Sequence, residues 1–179
     1  MFTRHSIRVL SFAALFGFAA AASGQTFRYV SKTGSHTSPY NTWARAATNI
    51  HAAVSVAGAG NVILVSNGVW ALTGTVTFAN NITMRSVNGP NATIIEGKNT
   101  FRLFNLSGGA RMEGLTLRYG AALGPGVNGY GGAVYANNVR MSNLVIVSCV
   151  ATGRGGGVYF YTGGGLLTHS RIEKCDSPY

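Results

Sequence analysis

The stretch GGAVYANNVRMSNLVIVSCVATGRGGGVYFY, residues 131–161, opens on Gly-Gly-Ala-Val-Tyr and repeats it 24 residues later as Gly-Gly-Gly-Val-Tyr. Setting RMEGLTLRYG (residues 111–120) above RMSNLVIVSC (140–149) and LLTHSRIEKC (166–175) aligns three consecutive units, 29 and 26 residues apart. Met112, Met141 and Leu167 share one column, Leu117, Ile146 and Ile172 a second, and Gly120, Cys149 and Cys175 a third. A unit of this length cannot close a core by itself. It must stack on its neighbour to bury its apolar face, which is the logic of a solenoid. Strands of successive coils then pair in parallel, with like residues in like columns. The repetition predicts an all-β fold in which one coil is copied onto the next.

Working outward, every stretch after Asn61 is a short β run bounded by Gly or Asn, including VILVS, TVTFA, ITMRSV, ATIIEG and FRLFNL. Before it, residues 26–42 read as a short strand and a polar loop. Ala46, Ala47, Ile50, Ala53, Val54 and Ala57 recur at helical spacing, so a helix over 43–57 is expected, capped by Asn41 or Thr42 and stopped by Gly58 and Gly60. Laid across the first coil, that helix covers its apolar end and its open strand edge. Arg4, Arg8, the apolar run 9–22 and Ala22-Ser23-Gly24 form a secretory leader cut before Gln25. The expected organisation is a leader over 1–24, a strand, loop and capping helix over 25–60, and coils over 61–179. The last coil breaks off in KCDSPY, so the coils are expected to be incomplete, the N-terminal part of a longer solenoid. An exported product, secreted or at the cell surface, follows from the leader, and no other segment reads as a transmembrane span.

The run AGAGNVILVSNGVWALTGTVTFANNITMRSVNGPNATIIEG resembles the entry of right-handed parallel β-helix proteins of the pectin-lyase-like class. The later Gly-Gly-Ala-Val and Gly-Gly-Gly-Val units are similar to coils of polymorphic outer-membrane and related bacterial surface proteins. The resemblance covers residues 29–179 and implies a right-handed parallel β-helix with an N-terminal capping helix. It does not select a function, because that scaffold carries lyases, hydrolases, adhesins and tailspikes.

The chemistry legible in the residues is sparse. The formal charge of +10, or +8 without Arg4 and Arg8, comes from a scarcity of acids, and the cations are scattered. No basic block marks a nucleic-acid partner. Enzymes of the class that the chain resembles depend on clustered carboxylates, whereas this chain has Glu96, Glu113, Glu173 and Asp176, of which only the last two are close. No catalytic residue is assigned. His36, His51 and His169 form no ligand pattern and are expected at the surface, so neither a metal nor another cofactor is assigned. Residues 124–129, GPGVNG, match a dinucleotide motif literally, but Pro stands in it and a β run follows, so they read as a turn between coils.

Two features are candidates. In GGGVYFYTGGG, alternation puts Val158 and Phe160 on one face and Tyr159 and Tyr161 on the other, with Tyr135 beside Tyr159 one coil earlier. With Val158 inward, Tyr135, Tyr159 and Tyr161, flanked by Arg154, form a ladder that either stacks on sugar rings or simply stabilises the sheet. Cys149 and Cys175 sit one coil apart, about 4.8 Å, close enough for a disulfide. A bridge there would add roughly 3–4 kcal/mol in the chain-entropy model; stacked free thiols are the alternative. The reading is a non-catalytic exported repeat protein, adhesin-like or contacting a polysaccharide or cell-surface glycan. The second reading is an N-terminal fragment of a polysaccharide lyase or glycoside hydrolase.

Overall fold

A computed structural model describes residues 25–178, so the leader expected over 1–24 lies outside the described residues. The chain enters on β1 (Phe27–Val30) and the short helix α1 (Ile50–Ser55). The first coil is β2 (Val62–Val65), β3 (Gly68–Ala71) and β4 (Val76–Phe78). The second is β5 (Thr83–Ser86), β6 (Thr93–Glu96) and β7 (Phe104–Leu106). In the third, β8 (Arg111–Glu113) and β9 (Thr116–Arg118) are followed by β10 (Ala121–Ala122) and β11 (Val134–Ala136). The fourth repeats that pattern as β12 (Val139–Ser142), β13 (Val145–Val147), β14 (Val150–Ala151) and β15 (Val158–Phe160). It is followed by β16 (Gly165–Thr168) and β17 (Arg171–Glu173).

Among the described residues every strand pair is parallel, and the result is a solenoid of about four turns with three long sheets. The first runs β1-β2-β5-β8-β12-β16, the second β3-β6-β9-β13-β17 and the third β4-β7-β11-β15. The columns expected from the repeat are present. Met112, Met141 and Leu167 pair in register, as do Leu117, Ile146 and Ile172. Upstream, Ile63 and Met84 extend the first stack, and Trp70 and Ile95 the second. Val76, Phe104, Val134 and Val158 form a third inward stack.

The repeated Gly-Gly has two separate causes. Gly131 and Gly155 turn through φ of +68° and +66°, which side chains disfavour. At Gly132 and Gly156 a side chain would run into the backbone oxygens of the next coil, Gly156 O and Asp176 O respectively. The aligned bends also share a backbone state, since Gly114, Asn143 and His169 all take positive φ, as do Tyr119, Ser148 and Lys174. His169 is thus an exposed bend residue.

The expected helix over 43–57 is shorter than its apolar spacing. It begins only at Ile50, with Asn49 as the N-cap, whose Oδ1 accepts from Ala52 N at 2.8 Å. Ala47 is instead recruited by the edge of β1, while the carbonyls of Ala44, Arg45 and Ala46 accept from Ser35, Thr37 and His36 of the loop. Ala47 N donates to Tyr29 O, Ser31 N to Ala47 O, and Val30 and Ala47 form a parallel bridge. Backbone pairing outcompetes a helical turn there, and neither Asn41 nor Thr42 serves as the cap. Edge cover and end cover are thus supplied by different segments. Tyr40 and Ala47 cap the edge, while Ile50 and Ala53 of α1 are buried against the coil. His51 on α1 is half-buried rather than at the surface, with Nε2 enclosed and unbonded.

Phe104 is fully buried and meets Phe78 edge-on at 6.2 Å. Phe104→Ala is expected to remove about 3–5 kcal/mol of unfolding free energy, read as a lower urea midpoint with strand-type circular dichroism retained below it.

Candidate functional site

Along the third sheet the pleat sends Val76, Phe104, Val134 and Val158 inward, so the residues after them face out. Register therefore stacks Thr77, Asn105, Tyr135 and Tyr159 in one outward column. Tyr161, two residues beyond Tyr159, shares its face and is 41% exposed. The ring centroids of Tyr135 and Tyr159 are 5.7 Å apart, and Tyr161 stacks on Tyr135 at 5.7 Å. A fourth ring, Tyr130, lies 4.7 Å from Tyr159. The three tyrosines read from the sequence do come together, and Tyr130 joins them from the turn between coils.

Arg102 organises this surface. Its guanidinium lies 5.0 Å over the Tyr135 ring. Nη1 donates to Asn105 Oδ1 at 2.7 Å, Nε to Tyr130 O at 2.9 Å, and Nη2 to Val127 O at 2.7 Å. One side chain thus ties the 3₁₀ turn Gly126–Gly129 to the sheet. Burial lowers the Arg102 pKa from its usual value. Burial, with Tyr161 and Tyr159 nearby, raises that of the Tyr135 phenol, which stays neutral and able to donate. Arg154 lies 5.8 Å over Tyr130, so it flanks the ladder as expected, through a ring that the sequence reading did not include.

The turn divides the surface into two clefts. One, of about 410 Å³, is lined by Arg102, Asn105, Asn128, Tyr135, Asn137 and Tyr161. The other, of about 640 Å³, is lined by Leu123, Pro125, Tyr130, Thr152 and Arg154. Aromatic faces beside amides, phenols and a guanidinium suit a ligand that is apolar on its ring faces and hydroxylated at its edges. No carboxylate or imidazole lines either cleft. Glu96 is engaged elsewhere, its Oε2 accepting from Arg118 Nε and Nη2 at 2.9 and 2.7 Å, and Glu173 pairs with Arg171. Among the described residues no three His, Cys, Asp or Glu side chains lie together as a metal site would need.

Cys149 and Cys175 are both free thiols, one buried and one half-buried. Cys149 Sγ accepts from Gly120 N at 3.4 Å, and Cys175 Sγ reaches Glu173 O at 3.3 Å. The neighbouring Cys149 thiol is the main influence lowering Cys175 to about 7, while Cys149 is pushed up by Cys175 and by burial.

Asn105, Arg102 and Tyr130 were the residues missed. Extending the repeat alignment upstream to FRLFNL would have placed Asn105 beside Tyr135, but nothing periodic marks Arg102 or Tyr130. No family model matches the chain, nor does any curated protein or solved structure.

Replacing Arg102 by Gln is expected to cost about 2 kcal/mol, the scale of a lost charged hydrogen-bond set. It should also raise hydrogen exchange at residues 126–131 relative to the coils; unchanged exchange there would remove the tethering role. Because a lowered pKa means more thiolate at neutral pH, Cys175 is expected to alkylate with a midpoint near pH 7. In Cys149→Ala that midpoint should move up towards about 8.5, the free-thiol value, as read by mass spectrometry of iodoacetamide-labelled protein.

Proposed function

We propose that this chain is an exported, cell-surface or secreted repeat protein that contacts glycans through its tyrosine face and is non-catalytic within these residues. The observation carrying this reading is the contiguous set Tyr130, Tyr135, Tyr159 and Tyr161, partly exposed and set beside two clefts, one lined by Asn105, Asn128 and Asn137 with two of the phenols, the other by Tyr130, Thr152 and Arg154. Sugar rings offer apolar faces to such aromatics and hydroxyls to such amides. The resemblance to β-helix surface proteins and the leader expected over 1–24 support export. Among the described residues, no helix is long and apolar enough to cross a membrane. The alternative, a fragment of a polysaccharide lyase or glycoside hydrolase, is less favoured because the clefts beside the aromatics lack carboxylates.

A printed array of neutral glycans, followed by calorimetry on the best binder, tests the reading. Tyr161→Ala and Tyr135→Ala are each expected to weaken that binder about tenfold, or about 1.4 kcal/mol, with melting of Tyr161→Ala unchanged. An array with no binder, or affinities indifferent to both substitutions, would discard the glycan reading.

A further inference from the structure

The Arg-Met pair that opens two of the aligned units has two faces. Met112 and Met141 point inward and are buried. Arg111 and Arg140 point outward, exposed, in direct register on β8 and β12 of the first sheet. Among the described residues this is the one strand-paired position that sets like charges side by side. Like charges so placed destabilise a sheet. The fold does not require them, since Thr83 precedes Arg111 in that column and Leu166 follows Arg140. Where the second sheet pairs charges, it pairs opposites, Glu96 with Arg118.

Neither Arg111 nor Arg140 makes a side-chain hydrogen bond or ion pair among the described residues. Arg85 stands in the next outward column on β5, in register with Glu113 but outside ion-pair distance of it. Three cations and one anion therefore share this face, and local repulsion is tolerated without a partner in the chain.

We infer that the outer face of β5, β8 and β12 docks a sulfated polysaccharide laid along the solenoid axis, with Arg111 and Arg140 holding one sulfate ester between them. Adjacent strands lie about 4.8 Å apart, so two guanidiniums reach a single oxyanion. Each donates as a two-pronged fork. A uronate carboxylate or a phosphodiester presents one two-oxygen edge, which one fork fills, leaving a second guanidinium only single-oxygen contacts. A sulfate ester presents three terminal oxygens, so two forks share it. This surface lies on a different sheet from the tyrosine face, and the inference does not depend on that reading.

The test is calorimetric titration of the purified full chain with a heparin oligosaccharide at low salt. Polygalacturonate and duplex DNA are titrated beside it at equal charge concentration. The double variant Arg111→Gln/Arg140→Gln is expected to bind heparin at least about tenfold more weakly. It should melt no lower than the parent, because a repulsion has been removed. Lys98→Gln/Lys174→Gln takes the same charge from exposed sites elsewhere and is expected to change affinity less than about twofold. Tyr161→Ala should leave heparin binding unchanged, which separates this surface from the tyrosine face. The inference is overturned if heparin does not bind, if the two double variants lose affinity equally, or if polygalacturonate or DNA binds as tightly as heparin.

Discussion

Parallel, in-register pairing between coils is the constraint on which the rest of this molecule depends. Each backbone lies one sheet spacing from the next, so the space available to a residue is set by the residue above and below it. Inward, this yields the stacks through Met84, Met112 and Met141 and through Ile95, Leu117 and Ile146. At Gly132 and Gly156 it leaves no room for a side chain at all. Outward, the same rule turns any repeated residue into a ladder. The three long sheets consequently present different chemistries: arginines on the first, a Glu96–Arg118 ion pair on the second and tyrosines on the third.

What the sequence disclosed tracks what the chain repeats. The columns through Met112 and Leu117 are legible in the repeat because packing demands the same residue class at each level. The outward tyrosines followed from alternation alone. The entry of the solenoid was less legible, since Ala47 is buried as a helix would bury it, but by a bridge to β1. Alanine fits closely under a backbone in either geometry, so its spacing does not separate the two. Arg102 lay beyond sequence reading for a different reason. Its acceptors include the carbonyls of Tyr130 and Val127, and a carbonyl belongs to every residue. Such contacts leave no compositional trace.

The two cysteines show how a single column changes character along the axis. Gly120, Cys149 and Cys175 occupy equivalent places, joined by the backbone bonds Val150 N to Gly120 O and Asp176 N to Cys149 O. The Cys149 thiol is the main influence lowering Cys175, whereas Cys175 and burial push Cys149 up, so two thiols of one column acquire opposite acidities.

The Arg102 tether has a consequence for how the tyrosine face meets anything that lands on it. The turn Gly126–Gly129 carries φ of +55° at Gly126 and an exposed Val127, composition that ordinarily leaves a loop many conformations. Hydrogen bonds from one guanidinium to its carbonyls, and to Asn105 in the sheet, remove that freedom before any encounter. Both cleft walls are therefore preorganised, and the ordering entropy that a mobile rim loses on association is already spent in folding.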